Sequence, residues 1–181
     1  MDVELDLLRR RRTVRRFTEE DVSQKDIETL LEAAMIAPSR LNRRPWDFVL
    51  IRDNKIKADL VSLLRVHPYL QKAPVVIAVC ARPDASPTWL MDVSAAVENL
   101  LLGATALDLG AAWLGSPGTV AWDMMEEHLR DQLGIPMNVR IPSLVVVGHP
   151  AQDLPAHSLE DRYDGRRVHI ERWQNRPLGE S

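Results

Sequence analysis

Residues 74–81 read Pro-Val-Val-Ile-Ala-Val-Cys-Ala, eight positions without a charged or strongly polar side chain. A strand with one wet face alternates apolar and polar residues, so an unbroken apolar run implies a strand covered on both faces. The rest of the chain must then supply layers for both sides, and helical patterns do so. Ile27, Leu30, Leu31, Ala34 and Met35 recur at helical spacing. Ser23 and Asp26 precede them as a capping box with Asp in the usual Glu position. Pro38 is expected to end this helix, because the residue before a proline is pushed out of the α region. Residues 53–64 place Ile56, Leu60, Leu63 and Leu64 on one side of a second helix. Residues 89–109 are apolar around most of their circumference, which suits the centre of a core or an interface. Gly110 follows, where a left-handed cap is expected. A short opening helix over 3–10, another helix over 120–133, and strands over 46–52, 111–114 and 143–148 complete the pattern.

Strands and helices interleave, yet several strands are short and the Gly-rich dinucleotide fingerprint is missing. Its nearest approach, Gly-Ser-Pro-Gly at 115–118, lacks the spacing and the following acidic residue. The expected fold is therefore α/β in the α+β sense, a mixed sheet between helices rather than a doubly wound one. A chain of 181 residues suits one domain, with or without an arm. The expected core is 1–149. From 150 to 181 the sequence is polar, with isolated Leu154, Tyr163, Val168, Ile170 and Trp173. That tail cannot bury a core of its own; it is disordered or wraps something, and Val168, Ile170 and Trp173 favour wrapping. No apolar run nears the roughly 18 residues of a membrane span. The charged residues 1–12 lack the apolar stretch of a secretory signal. Cys80, the single cysteine, permits no disulfide within one chain. A cytoplasmic protein is expected.

A net charge of −3 argues against a general polyanion binder, but six arginines stand together at 9, 10, 11, 12, 15 and 16. Arginine offers a rigid donor fork suited to phosphate. In Arg11-Arg12-Thr13-Val14-Arg15-Arg16-Phe17, basic and hydroxyl side chains could converge on one phosphate. Each charge-assisted hydrogen bond contributes about 1.5–3 kcal/mol. Three or four roughly match the 4–15 kcal/mol of motional freedom lost on association, so burial of a ring must add the rest. A second stretch, residues 37–46, combines two prolines with Ser39, Asn42 and Trp46. His67, His128, His149, His157 and His169 show no metal-ligand spacing. Ser116 starts like a nucleophile elbow, but Pro117 breaks the pattern. A nucleic-acid-binding module built on 9–16 would show steep salt dependence; the acidic remainder and the lack of a groove-reading motif count against it.

Taken in order, these stretches resemble the nitroreductase family of FMN-dependent oxidoreductases. Its members typically carry R-R-S-x-R-x-F followed by A-P-S-x-x-N-x-Q-P-W-x-F, which here read RRTVRRF and APSRLNRRPWDF. Residues 92–115, with Ala95, Ala96, Asn99, Leu100, Ala104, Leu109, Gly110 and Trp113, look like the family's long helix and following G-x-x-W-x-G strand. Residues 145–150, then Arg162, Tyr163, Val168 and His169, look like its closing strand and C-terminal arm. The resemblance implies a mixed, mainly antiparallel sheet flanked by helices, in an intertwined homodimer with FMN between subunits and 150–181 as an arm around the partner. It implies that Arg11, Arg12, Thr13 and Arg15 hold the phosphate and ribityl end, and that Arg162 returns to the phosphate. Pro38, Ser39 and Arg40 of the partner would cover the ring, with Asn42 close by, while Leu114, Gly115 and Ser116 line the ring edge. NAD(P)H would reduce the flavin in ping-pong turnover, with nitroaromatics or quinones as acceptors and no catalytic side chain. Dehalogenases, ring-cleaving oxygen users and flavin-storing proteins share the fold and stay open. Thr13 keeps the hydroxyl of the usual Ser. Arg44 replaces the usual Gln, and Glu160 replaces a Lys often found two residues before the arm's Arg.

Overall fold

The computed structural model describes residues 3–65, 68–158 and 162–173. His67 and Glu160 lie outside them. Its centre is β2 (Val75–Ala81), the strand read from the apolar run, and all seven of its residues are buried. Around it stand β1 (Trp46–Ile51), β4 (Arg140–Gly148) and β3 (Gly110–Leu114), in the order β1-β2-β4-β3. All three neighbouring pairs are antiparallel. A parallel bridge between Thr13 and Ala111 extends the β3 edge and makes the sheet mixed. β4 begins three residues earlier than the sequence suggests, because residues 140–142 continue beside β2 as far as Ala81.

Each sheet face carries its own core. On one lie α2 (Gln24–Met35) and α5 (Trp89–Ala106), packing Ile27, Leu30, Val97 and Leu100 against Val75, Ile77 and Val79. On the other, α3 (Asn54–Leu64) and α6 (Val120–Leu133) pack Leu60, Trp122, Met125 and Leu129 against Val76, Ala78 and Cys80. The alternation of β2 between the two clusters is why its run had to be continuous. Cys80 is 1% exposed, and burial pushes its thiol up to about 12, which removes the reactive thiolate at neutral pH. Lys57, also buried, donates from Nζ to the Ala73 carbonyl at 2.8 Å; burial lowers its pKa.

Local signals set most element ends. Ser23 Oγ accepts from the Asp26 amide at 3.1 Å, and Asp53 Oδ1 accepts from the amides of Lys55 and Ile56. α2 stops at Met35, short of the residue that Pro38 constrains. The expectation for Gly110 is corrected. α5 ends at Ala106, and Asp108 takes the left-handed φ of 55°. Gly110 instead opens β3, where an added Cβ would come within 2.7 Å of Val14 Cγ1. Close packing, not chain reversal, requires the glycine. Two elements completing the fold are α1 (Val3–Arg10) and the one-turn α4 (Tyr69–Lys72), the latter without a sequence forecast.

The tail after β4 starts by lying antiparallel to the chain's own N-terminal segment. The amide of Thr18 donates to His149, that of Ala151 to Arg16 and that of His157 to Arg9, each at 2.9 Å.

Candidate functional site

The arginine-rich segment leaves α1 and becomes extended along the β3 edge, where the Val14 amide donates to the Ala111 carbonyl at 2.9 Å. Extended backbone sends successive side chains to opposite sides, so the run is divided. Arg11 and Thr13 face a cleft of about 460 Å3, walled by Leu90, Ser94, Glu98 and Leu101 of α5 and by Trp113 and Gly115. Arg15 enters an adjoining cleft of about 300 Å3 with Leu114, Gly115, Ser116 and Trp122, its guanidinium carbon 5.9 Å from the centre of the Tyr69 ring. Trp113 and Gly115 belong to both clefts. Both volumes lie within the range that suits small-molecule sites.

Arg12 and Val14 point the other way. Val14 is buried, and Arg12 donates to the Pro155 carbonyl of the tail. Arg10 is held by Asp108 at 2.7 Å and by Asp6 at 3.9 Å. Of the residues assigned to the phosphate by resemblance, Arg11 and Thr13 thus share one cleft, Arg15 occupies its neighbour, and Arg12 lies outside both. Arg162 also lies elsewhere in the same chain. It donates to His157 Nδ1 at 3.0–3.1 Å, beside Leu5 and Leu8 of α1.

Trp113, 41% exposed, is fixed by its indole N–H donating to Ser143 Oγ at 2.8 Å. At Gly115 an added Cβ would meet the Pro142 carbonyl at 3.1 Å, so a side chain there would crowd the wall. Arg11 Nε stands 3.6 Å from Glu98 Oε1.

Pro38, Ser39, Arg40 and Asn42 line neither cleft of their own chain. Their loop is nevertheless tightly specified. Ser39 Oγ accepts from the Arg44 amide at 3.0 Å, and Asn42 Oδ1 accepts from Arg44 Nε at 2.8 Å. The Arg40 amide donates to Asp92 Oδ1 at 3.0 Å. Asp92 is 6% exposed, and its other oxygen accepts from Ser86 Oγ at 2.6 Å. Leu41, Asn42 and Arg44 have φ of 51°, 56° and 45°, a left-handed conformation costly for residues with a Cβ. The result displays Leu41 at 77% exposure.

Sequence reasoning missed the roles of Asp92, Glu98 and Tyr69. Asp92, in the first turn of α5, reads in sequence as a charge complementing the helix dipole; its tie to Arg40 crosses 52 positions. Glu98 could have been found from helical spacing, since Leu90, Ser94, Glu98 and Leu101 fall on one face. Among the described residues no group of three or more His, Cys, Asp or Glu could hold a metal ion. His128 lies 3.4 Å from Asp59, and His169 stacks on Trp173.

The sequence profile of the Nitroreductase family matches residues 8–67 and 64–149. The chain belongs to the nitroreductase family. A provisionally named NADH dehydrogenase/NAD(P)H nitroreductase of Archaeoglobus fulgidus is 35% identical over 173 residues, covering 93% of this chain and 98% of its own. A crystal structure from Desulfovibrio desulfuricans, of a provisionally named nitroreductase in complex with FMN, superposes with a TM-score of 0.76 at 32% identity, covering 87% of this chain and 92% of its own. An FMN reductase [NAD(P)H] of Bacillus subtilis is 28% identical over 156 residues, covering 77% of this chain and 63% of its own. The nitroreductase fold accounts for the antiparallel sheet between two helical layers described above. Among the described residues no helix is long and apolar enough to cross a membrane.

Proposed function

We propose that this chain is an FMN-dependent oxidoreductase that passes a hydride from NAD(P)H, by way of the flavin, to an electron-poor acceptor of the nitroaromatic or quinone class. The observation that carries this reading is the pair of adjoining clefts, one with Arg11 and Thr13 and the other with Arg15, joined at Trp113 and Gly115. The donor set fits FMN: a guanidinium and a hydroxyl for the phosphate, then an aromatic wall and exposed backbone for a flat ring. FMN supplies the hydride chemistry, which leaves binding, orientation and electrostatics to the protein.

Arg11 and Thr13 hold the phosphate in this reading. Arg15 sets a fixed positive charge beside the ring, which favours electron uptake there. Leu114, Gly115 and Ser116 present backbone groups along the ring edge, and Trp113 keeps water from the clefts' shared wall. Arg12 supports the segment through the Pro155 carbonyl.

Pro38, Ser39, Arg40 and Asn42 reach the ring from a second copy, in a homodimer. The exposure of Leu41, Met35, Ile36, Leu90 and Met91 supports this, because large apolar side chains left open to water suit an interaction site. The tail from 150 onward, including Arg162, acts as the arm on that partner. A cytoplasmic location belongs to the same reading, in keeping with the lone buried Cys80.

Anaerobic stopped-flow mixing of the FMN-loaded protein with NADH and with NADPH tests the activity. Bleaching of the flavin by either, and its return on adding a quinone or nitroaromatic, is the expected result. Bleaching by neither would point to a flavin-storing protein or to another electron donor.

A further inference from the structure

Resting on the flavin reading above, we propose that Glu98 competes with the ligand's phosphate for Arg11, and so sets how strongly the site prefers FMN to unphosphorylated riboflavin. Leu90, Ser94, Glu98 and Leu101 form the α5 wall of the cleft, and Glu98 is its charged member. The Glu98 carboxylate makes one contact to Arg11 Nε, at 3.6 Å, longer than a good charge-assisted hydrogen bond. The contact leaves the terminal nitrogens of the Arg11 fork available to a phosphate. The two side chains are 26% and 46% exposed, for Arg11 and Glu98 respectively, so the pair is partly screened rather than sealed.

A phosphate drawn to Arg11 therefore enters a cleft that already contains a negative charge. The carboxylate, 3.6 Å from the Arg11 Nε, opposes the attraction of the guanidinium, and the net gain from the phosphate is reduced. Of the neighbouring cations, Arg10 is paired with Asp108, Arg12 is turned away from the cleft toward the Pro155 carbonyl, and Arg15 stands in the adjoining cleft, which leaves Arg11 as the arginine lining this one. Like charges at a partly exposed site change affinity modestly, by roughly 2- to 5-fold. A ligand without a phosphate does not feel the repulsion.

Glu98→Gln removes the charge while keeping the size and a polar contact to Arg11. Titration of FMN and of riboflavin into both proteins, followed by flavin fluorescence, should show FMN binding roughly 2- to 5-fold tighter in the variant and riboflavin unchanged. The FMN difference should close near 1 M salt, where the screening length falls to about 3 Å. An unchanged FMN affinity, or an equal gain for riboflavin, would overturn the proposal. Weaker FMN binding would also overturn it, and would make Glu98 a positioning residue for Arg11. These outcomes differ from failure of the flavin reading, in which wild-type protein takes up neither ligand and both proposals fall.

Discussion

Two glutamates, Glu126 on α6 and Glu98 on α5, both meet arginines, but in surroundings that give the same chemistry different work. Glu126 has a side chain 3% exposed. One of its oxygens accepts from Arg130 and Arg140, each at 2.9 Å, and the other from the Ile141 amide at 2.9 Å. The bonds from Arg140 and Ile141 fasten α6 to the start of β4. Glu98 has a single contact of 3.6 Å at the edge of a cleft. A carboxylate surrounded by donors is a fastening; one with a lone, long contact leaves its arginine able to receive a ligand. The first kind belongs to stability and the second to binding, and single substitutions should separate them.

The largest effect is expected at the closed cluster. Glu126→Ala leaves the largely buried Arg130 and the Ile141 amide without their partner, and should cost about 3 kcal/mol in urea-induced unfolding. Equal stability of variant and wild type would remove the distinction between the clusters. Gly110→Ala tests the seat of the N-terminal segment that carries the binding arginines. Its new Cβ would press on Val14, and overpacking of this kind should cost about 1–3 kcal/mol in the same assay. Arg11→Ala should change unfolding least, by less than about 0.5 kcal/mol, because its side chain lines an open cleft and has one long contact rather than a set of fastening bonds. A loss comparable to that at Glu126 would show that the Arg11–Glu98 contact is structural too.

Much of the fold could be read from residues because the signals are local. The β2 run, the Ser23 cap and the periodicity of α2 each lie within a dozen or so neighbouring positions, and the observed elements follow them. Gly110 was misread because a glycine near a helix end has two uses, and only the approach of Val14 decides between them. In the site, the arginine run itself was plain. Its division between two clefts and a tail contact was not, since it depends on the segment lying extended against Ala111, nearly a hundred positions away. The same holds for Asp92, whose first-turn position hides its bond to Arg40. Long-range hydrogen bonds leave no periodic trace in a sequence.

The central claim is that Arg11 and Arg15, in adjoining clefts, bind one flavin by its phosphate and its ring. FMN titration of wild type, Arg11→Ala and Arg15→Ala, with unfolding and hydrodynamic size measured on the same samples, tests it most directly. Each variant should lose roughly 10- to 100-fold in affinity, the worth of one charge-assisted bond of about 1.5–3 kcal/mol, with fold and size retained. Wild-type affinity in both well-folded variants would contradict the claim.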